Sequence, residues 1–281
     1  MGDHYLPQHY LKAFAKNGRF WVHDLTESRT RRGQPKSEAN VKGLWPADIE
    51  THLANNIESP AQEILDRIRI LGAIDESEKV TLATYFINMW KRVPASKERT
   101  AAHIPKLALE HKQAYLSQID GYAADGSLST NDADKVKQNI SNIISSIVAG
   151  PPDYYWHHQI RDGASPRMMA GLLSMDWTFM VSGTEPFLTC DDPLFYFTEI
   201  GIAHPNSELS IPLSSSITLV AHRQGIQRSQ FKDARSNTVI QLNRRTAFNA
   251  KRFLYSEHHV PWALKLGTHK PRPTRIIVNR A

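Results

Sequence analysis

Cysteine is almost absent from this chain of 281 residues: Cys190 stands alone. One thiol cannot form an internal disulfide, and a zinc site built on cysteines is excluded. Long apolar runs are missing too. No stretch approaches the roughly 20 apolar residues needed to cross a bilayer, and the first residues lack the basic-then-apolar layout of a secretory signal. Leu6 stands where N-myristoylation wants serine or threonine. These absences point to a soluble, cytoplasmic protein with no membrane partner. The chain also has no Walker loop, no dinucleotide glycine fingerprint and no G-x-S-x-G elbow, so ATP hydrolysis at a phosphate loop, nicotinamide redox chemistry and α/β-hydrolase chemistry lack support. His157-His158 and His258-His259 are adjacent pairs, not the i, i+4 arrangement that puts two imidazoles on one helix face. Internal repeats and low-complexity tracts are absent.

What is present is unevenly charged. The formal net charge is +6. From His222 to Ala281 there are thirteen Lys or Arg against two acids, Asp233 and Glu257, a surplus of +11 that leaves the preceding 221 residues at −5. A positive field this concentrated attracts polyanions, which makes nucleic acid or another phosphate-bearing ligand an expected partner. A solvated basic face, or contact with the acidic part of a second copy in a homo-oligomer, accounts for the same pattern.

The order of elements follows from periodicity and punctuation. Pro7 precedes Tyr10, Leu11 and Phe14 at helical spacing, a short amphipathic helix that ends before Asn17-Gly18. Arg19 to Leu25 reads as a strand, and the polar stretch from Glu27 to Lys42 as a loop. Residues 47–150 are helical almost throughout, with runs over 59–71, 80–90, 96–119 and a last one opened by Thr130-Asn131-Asp132 and closed by Gly150-Pro151-Pro152. A helix over 168–173 follows, then strands at 177–181, 186–189, 194–198, 209–212 and 217–221, a helix from Ser236 to Phe248 and a strand at 252–256. Residues 265–281 read as a basic tail. The expected fold is a single α+β domain over 1–281, with a mixed or antiparallel sheet from the N-terminal strand and the C-terminal half, and a large helical insertion at 47–150.

Asp191 and Asp192 end an apolar strand just before Pro193, which turns the chain out of the sheet. Strand-end carboxylates suit a metal or a general base; an aspartate before proline equally caps a turn by accepting from backbone N–H groups. His4 sits just before the first helix and Gln8 in its first turn, where free backbone amides favour anions. His4 is a candidate base, ligand or phosphate donor, or a tie that holds the N-terminus in place. His9 reads as surface.

Two segments resemble the family DUF4238, whose members open with H-x-x-P-Q-x-Y-L-x-x-F and later carry F-I-T-S-D-N-P. Here these are His4, Pro7, Gln8, Tyr10, Leu11 and Phe14, and Phe187-Leu-Thr-Cys-Asp-Asp-Pro193, with Cys190 for serine and Asp192 for asparagine. That alternation speaks against thiol catalysis by Cys190. The resemblance extends to Ile49-Glu50-Thr-His-Leu53-Ala54, whose second acid, Glu58, falls one position late, about 80° from Glu50 around a continuous helix. It extends also to Arg92-Val-Pro94, to Pro212-Leu-Ser214 and to Asn243. Glu58 is then a candidate metal ligand or a solvated acid, Arg92 a phosphate clamp or a helix-ending cation, and Asn243 a ligand contact or a buried amide.

Combined with the basic C-terminal region, these motifs lead to an expected metal-dependent nuclease or phosphodiesterase acting on RNA or DNA, of the kind a bacterial conflict or phage-defence system employs. Asp191, Asp192 and Glu58 would hold Mg²⁺ or Mn²⁺; His4, Gln8, Asp191 and Arg92 would serve catalysis; Asn243, Arg244, Arg245 and Arg252 would hold substrate. A non-catalytic nucleic-acid or nucleotide binder and a protein-interaction module are the alternatives.

Overall fold

The computed structural model describes residues 2–183, 185–223 and 229–276; Arg228 and Arg280, two of the thirteen C-terminal cations, lie outside the described residues. The chain divides into two compact units, Met1–Val93 with Asp162–Ala281, and Pro94–Arg161. Among the described residues no helix is long and apolar enough to cross a membrane.

The larger unit begins with β1 (Asp3–His4), α1 (Gln8–Lys12), β2 (Phe20–Asp24), β3 (Arg29–Gly33) and β4 (Asn40–Val41). β3 and β4 lie in the stretch expected as a loop. Apolar periodicity was absent there because pairing comes from elsewhere: β3 lies antiparallel to β2, Trp21 opposite Arg32, and Arg31 forks onto Glu38 through bonds of 2.6 and 2.9 Å. Four helical pieces follow: α2 (Ala47–His52), a π-helical turn (Leu53–Glu58), α3 (Ser59–Arg69) and α4 (Glu76–Arg92). Asp75 and Glu78 close a reciprocal capping box at the start of α4.

The smaller unit is wholly helical, with α5 (Pro94–Ala124), α6 (Thr130–Ala149) and α7 (Tyr154–Arg161). Its α6 is capped by Ser129, whose hydroxyl accepts from the Asp132 N–H. The helical insertion therefore starts at Pro94 and not at residue 47. The helices between 47 and 92 bury Ile49, Leu65, Leu82 and Phe86 within the larger unit, where the Phe86 ring lies 5.8 Å from that of Trp177.

The chain returns through α8 (Pro166–Leu173), β5 (Asp176–Val181), β6 (Thr189–Cys190), β7 (Phe195–Tyr196), β8 (Glu208–Pro212), β9 (Ile217–His222), β10 (Phe231–Asp233), α9 (Ser236–Asn249), β11 (Phe253–Ser256) and α10 (Ala263–His269). α10 occupies the start of the expected tail, because Ala263 and Leu266 pack on the cluster around Leu254 and Cys190. The fold class is α+β. A five-stranded sheet runs β10-β5-β9-β8-β7, antiparallel except for the β10–β5 edge, and a four-stranded antiparallel sheet runs β3-β2-β11-β6. Register places Trp177, Phe179 and Leu219 on one face of the larger sheet, toward α4. The opposite face carries Met180 and Val220 against Val239 and Leu242 of α9. α9 also touches the second sheet through Ala247, and Ala250 just past its end joins the same cluster.

α1 ties these layers together. Leu6, Tyr10, Leu11 and Phe14 are all fully buried. The Tyr10 hydroxyl donates to the Pro212 carbonyl at the end of β8 (2.9 Å) and lies 2.7 Å from the Thr189 hydroxyl of β6, so one phenol links both sheets. The Tyr5 N–H donates to Ala39 O, and Ala13 O accepts from the Ser215 N–H. The N-terminal motif is a structural hub before any chemistry is asked of it.

Candidate functional site

The position of Glu58 is set by the π-helical turn. In a π turn the hydrogen bond runs i→i+5, so the backbone takes one residue more than an α turn, and such bulges recur at functional sites. The acid that falls one position late in sequence ends this turn at Glu58. Its carboxylate meets Arg92 at the end of α4, Nη1 to Oε1 2.5 Å. Glu50, the earlier acid, is used elsewhere: its Oε2 accepts from the Trp45 indole N–H at 2.9 Å.

Three further side chains complete the cluster. The His9 ring places Nδ1 3.9 Å from Glu58 Oε2 and Nε2 3.3 Å from the Tyr85 hydroxyl. Burial lowers the His9 pKa to about 4, with Arg69 and Arg92 acting in the same direction and Glu58 against them. The ring is therefore neutral at pH 7. Burial also raises the Tyr85 phenol far above its ordinary value. Arg69, at the end of α3, is the fifth member. The two arginines are held alike. Arg92 donates from Nε to Tyr5 O (3.1 Å) and from Nη1 to Glu58; Arg69 donates from Nε to Leu213 O (3.3 Å) and from Nη1 to Asp66 (2.6 Å). In both, Nη2 is buried without a hydrogen-bond partner among the described residues. The cluster stays within reach of solvent through Glu58, whose side chain is 23 % exposed, and Arg69, at 17 %.

Asp191 serves a different purpose. Its Oδ1 accepts from the Lys251 N–H (2.8 Å) and its Oδ2 from those of Arg252 (2.7 Å) and Phe253 (3.2 Å), capping the turn that leads into β11. Burial raises its pKa to about 6, against the pull of those three donors. The Asp192 carbonyl, with that of Leu194, accepts from the Asn249 amide, which clamps the turn at Pro193. Cys190 is fully buried and its thiol is pushed up by burial and by the two aspartates, consistent with a filler. Asp191, Asp192 and Glu58 are not brought together as metal ligands. Among the described residues no group of three or more His, Cys, Asp or Glu is arranged to hold a cation, and both Asp191 oxygens are already engaged by the backbone.

His4 and Asp191 are not partners. Burial, with the negative charges of Asp191 and Glu38, raises the Tyr5 phenol. The His4 ring is 3.1 Å from Lys36 O and 3.1 Å from the Asn40 amide, tying down β1. Gln8 is half-buried at the start of α1, a helix of five residues without a side-chain cap bond. Asn243 is a buried clamp, its Oδ1 accepting from the Leu188 N–H (2.8 Å) and its amide donating to Pro186 O (3.0 Å). Arg245 is not a substrate contact on a basic face. It is fully buried, paired with Glu208 and packed 5.3 Å from the ring centres of Phe195 and Phe197. Arg252 is held by Asp24 (2.8 Å) and Glu27 (2.9 Å). Arg244 is half-buried on α9.

Residues 3–259 match the family described as a protein of unknown function, DUF4238. The chain belongs to the DUF4238 family. No curated protein and no solved structure matches it. The match begins at β1 and ends three residues past β11, so it takes in both halves of the larger unit. Of the candidate residues, this DUF4238 chain gathers only Glu58 and Arg92 into one polar cluster. His9, Arg69 and Tyr85 were missed. None of the three has a distinguishing spacing: Arg69 and Tyr85 lie inside the helical runs over 59–71 and 80–90, and His9 reads as surface. The one available signal was the late acid, whose extra residue marks the π turn.

Proposed function

We propose that the chain binds a phosphate group of a nucleotide or nucleic acid at the cluster of His9, Glu58, Arg69, Tyr85 and Arg92. The matched arginines carry this reading. Each guanidinium spends Nε on a backbone carbonyl and Nη1 on a carboxylate, and keeps a buried Nη2 without a partner. A buried donor left unmade costs about 1–3 kcal/mol. A phosphate oxygen is the acceptor that removes that cost at both arginines, and planar guanidinium groups suit it. The surplus of thirteen cations over two acids in the last sixty residues supports a polyanionic ligand, although Arg245 and Arg252 are withdrawn from that role by their own carboxylates.

A second reading follows from His9. A neutral imidazole beside a phosphate site, flanked by a carboxylate and a phenol, suits proton abstraction from an attacking hydroxyl. The chain would then be a nuclease or phosphodiesterase that works without a bound metal. The metal-dependent form draws no support from Asp191, Asp192 and Glu58, since no group of three or more His, Cys, Asp or Glu among the described residues is arranged to hold a cation.

One experiment separates these. Labelled single-stranded RNA and DNA are incubated with the purified chain at low and moderate salt, with EDTA, Mg²⁺ or Mn²⁺, and both retention and cleavage are scored. Retention that falls with salt and drops about tenfold in Arg69→Gln supports the phosphate site. Cleavage in EDTA that His9→Asn abolishes, with retention kept, establishes the hydrolytic reading. Absence of retention at low salt by the folded chain overturns both.

A further inference from the structure

A separate cavity lies between α4, α8 and the segment joining β7 to β8, wholly within the larger unit. Its volume is about 290 Å³, at the small end of ligand cavities, which run from about 300 to 1,000 Å³. The floor is apolar and sealed: Leu172, Leu194 and Leu209 are buried to within a few per cent of completeness. The walls are aromatic and aliphatic, with the Trp90 and Tyr196 rings edge to face at 6.0 Å. The mouth carries Arg167, an exposed side chain with no carboxylate partner among the described residues.

The cavity is held open by polar bonds outside it. Arg223 donates from Nε to Ile202 O (3.3 Å) and from Nη2 to Gly171 O (2.9 Å), which fastens the β7–β8 segment to α8. The two approach so closely that a Cβ on Gly171 would lie 3.0 Å from the Ile202 side chain. Such a wall is formed before any ligand arrives, which spares the ligand the cost of ordering it.

We infer that this cavity binds a small amphiphilic anion, a bicyclic aromatic or short acyl body that fills the apolar floor and ends in one carboxylate, which pairs with Arg167. The polarity of the cavity runs one way, from leucine floor to guanidinium mouth, so the ligand enters apolar end first. A cation gains nothing at Arg167, and a ligand whose inner end carries polar groups would leave them without partners against Leu172, Leu194 and Leu209.

The inference is independent of the phosphate site, which uses none of these residues. The test is a calorimetric and ligand-observed NMR titration of the full chain with 2-naphthoate and with its neutral isostere 2-naphthamide. Wild type is expected to bind 2-naphthoate saturably at one site. Arg167→Gln weakens 2-naphthoate about tenfold and leaves 2-naphthamide unchanged, since only the charge-assisted bond is lost. Ile200→Trp, which fills the cavity from the half-buried rim, removes binding of both at unchanged melting temperature. Lack of saturable 2-naphthoate binding by folded wild type up to millimolar concentration overturns the inference. So does binding that both variants leave unaltered.

Discussion

At the residue scale, Glu58 and Arg92 form a pair whose ends differ in exposure, 23 % against 2 %. The Arg92 guanidinium has left water almost completely, so its charge depends on Glu58 and on the Tyr5 carbonyl. Removing one partner of a buried pair costs about 3–5 kcal/mol, because the other charge stays buried without compensation, whereas replacing both is often close to neutral. Glu58→Gln is therefore expected to lower unfolding free energy by about 3 kcal/mol. Adding Arg92→Met in that background should restore more than half of it. A double-mutant cycle by urea denaturation reads the coupling directly, and near-additive losses would mean that the pair contributes little. The same reasoning separates Asp191 from the cluster. Three backbone N–H groups converge on its carboxylate, and its short sequence motif, two acids before a proline, suits a turn cap as well as a ligand.

At the element scale, the π turn over Leu53–Glu58 is the part of the larger unit most sensitive to length. It adds one residue to a helix that otherwise reads continuously from Ala47 to Arg69. Deleting Asn56, an exposed residue of that turn, lets the backbone close as an α-helix and rotates everything on one side by about 100° relative to the other. Glu58 then leaves Arg92. The expected outcome is unchanged helix content by circular dichroism with a stability loss larger than the about 3 kcal/mol of Glu58→Gln, because the rotation also takes Ile49 and Leu53, or Leu65 and Ile68, off the core face. Deletion variants that also carry Glu58→Gln should lose nothing further, and a large added loss would sink the idea. The strands are less demanding. β3 pairs with β2 although its residues are mostly arginine and threonine, because Arg31 on one face is taken by Glu38 and Arg32 on the other lies over the Trp21 ring at 5.1 Å.

For the whole molecule, three buried groups titrate in one pH window with opposite signs. Burial lowers His9 and His23 from 6.5 to about 4. A depressed pKa contributes stability that is complete above the unfolded value and is lost as pH falls from about 6.5 to 4. Asp191 moves the other way, from 3.8 to about 6, so its contribution is complete below about 4 and is lost as pH rises through 6. Each shift is worth up to about 3 kcal/mol across its window. Two histidines outweigh one aspartate, and unfolding free energy should rise by roughly 3 kcal/mol between pH 4 and 6.5. Urea denaturation at four pH values checks the sign. His23→Asn should flatten the rise, and Asp191→Asn should steepen it. A wild-type stability that falls over this range contradicts the assignment of neutral, buried histidines.

The sequence by itself determined the family, the α+β class and most of the elements, because burial of one face writes its period into the chain. The apolar stripe of α6, the β-branched and aromatic runs of β2 and β9 and the proline stop after α4 are local signals that need no partner. It also carried the trace of the π turn, as an acid one position late. Tertiary structure alone decided what faces what. His9 reads as surface until Tyr85 and Glu58, dozens of residues away, close over it, and Arg245 reads as a basic patch until Glu208 and two phenylalanines enclose it. Asp191 reads as a metal ligand until three backbone N–H groups from residues 251–253 take both its oxygens. These outcomes depend on desolvation and on hydrogen bonds between residues far apart in sequence, and neither leaves a periodic mark along the chain.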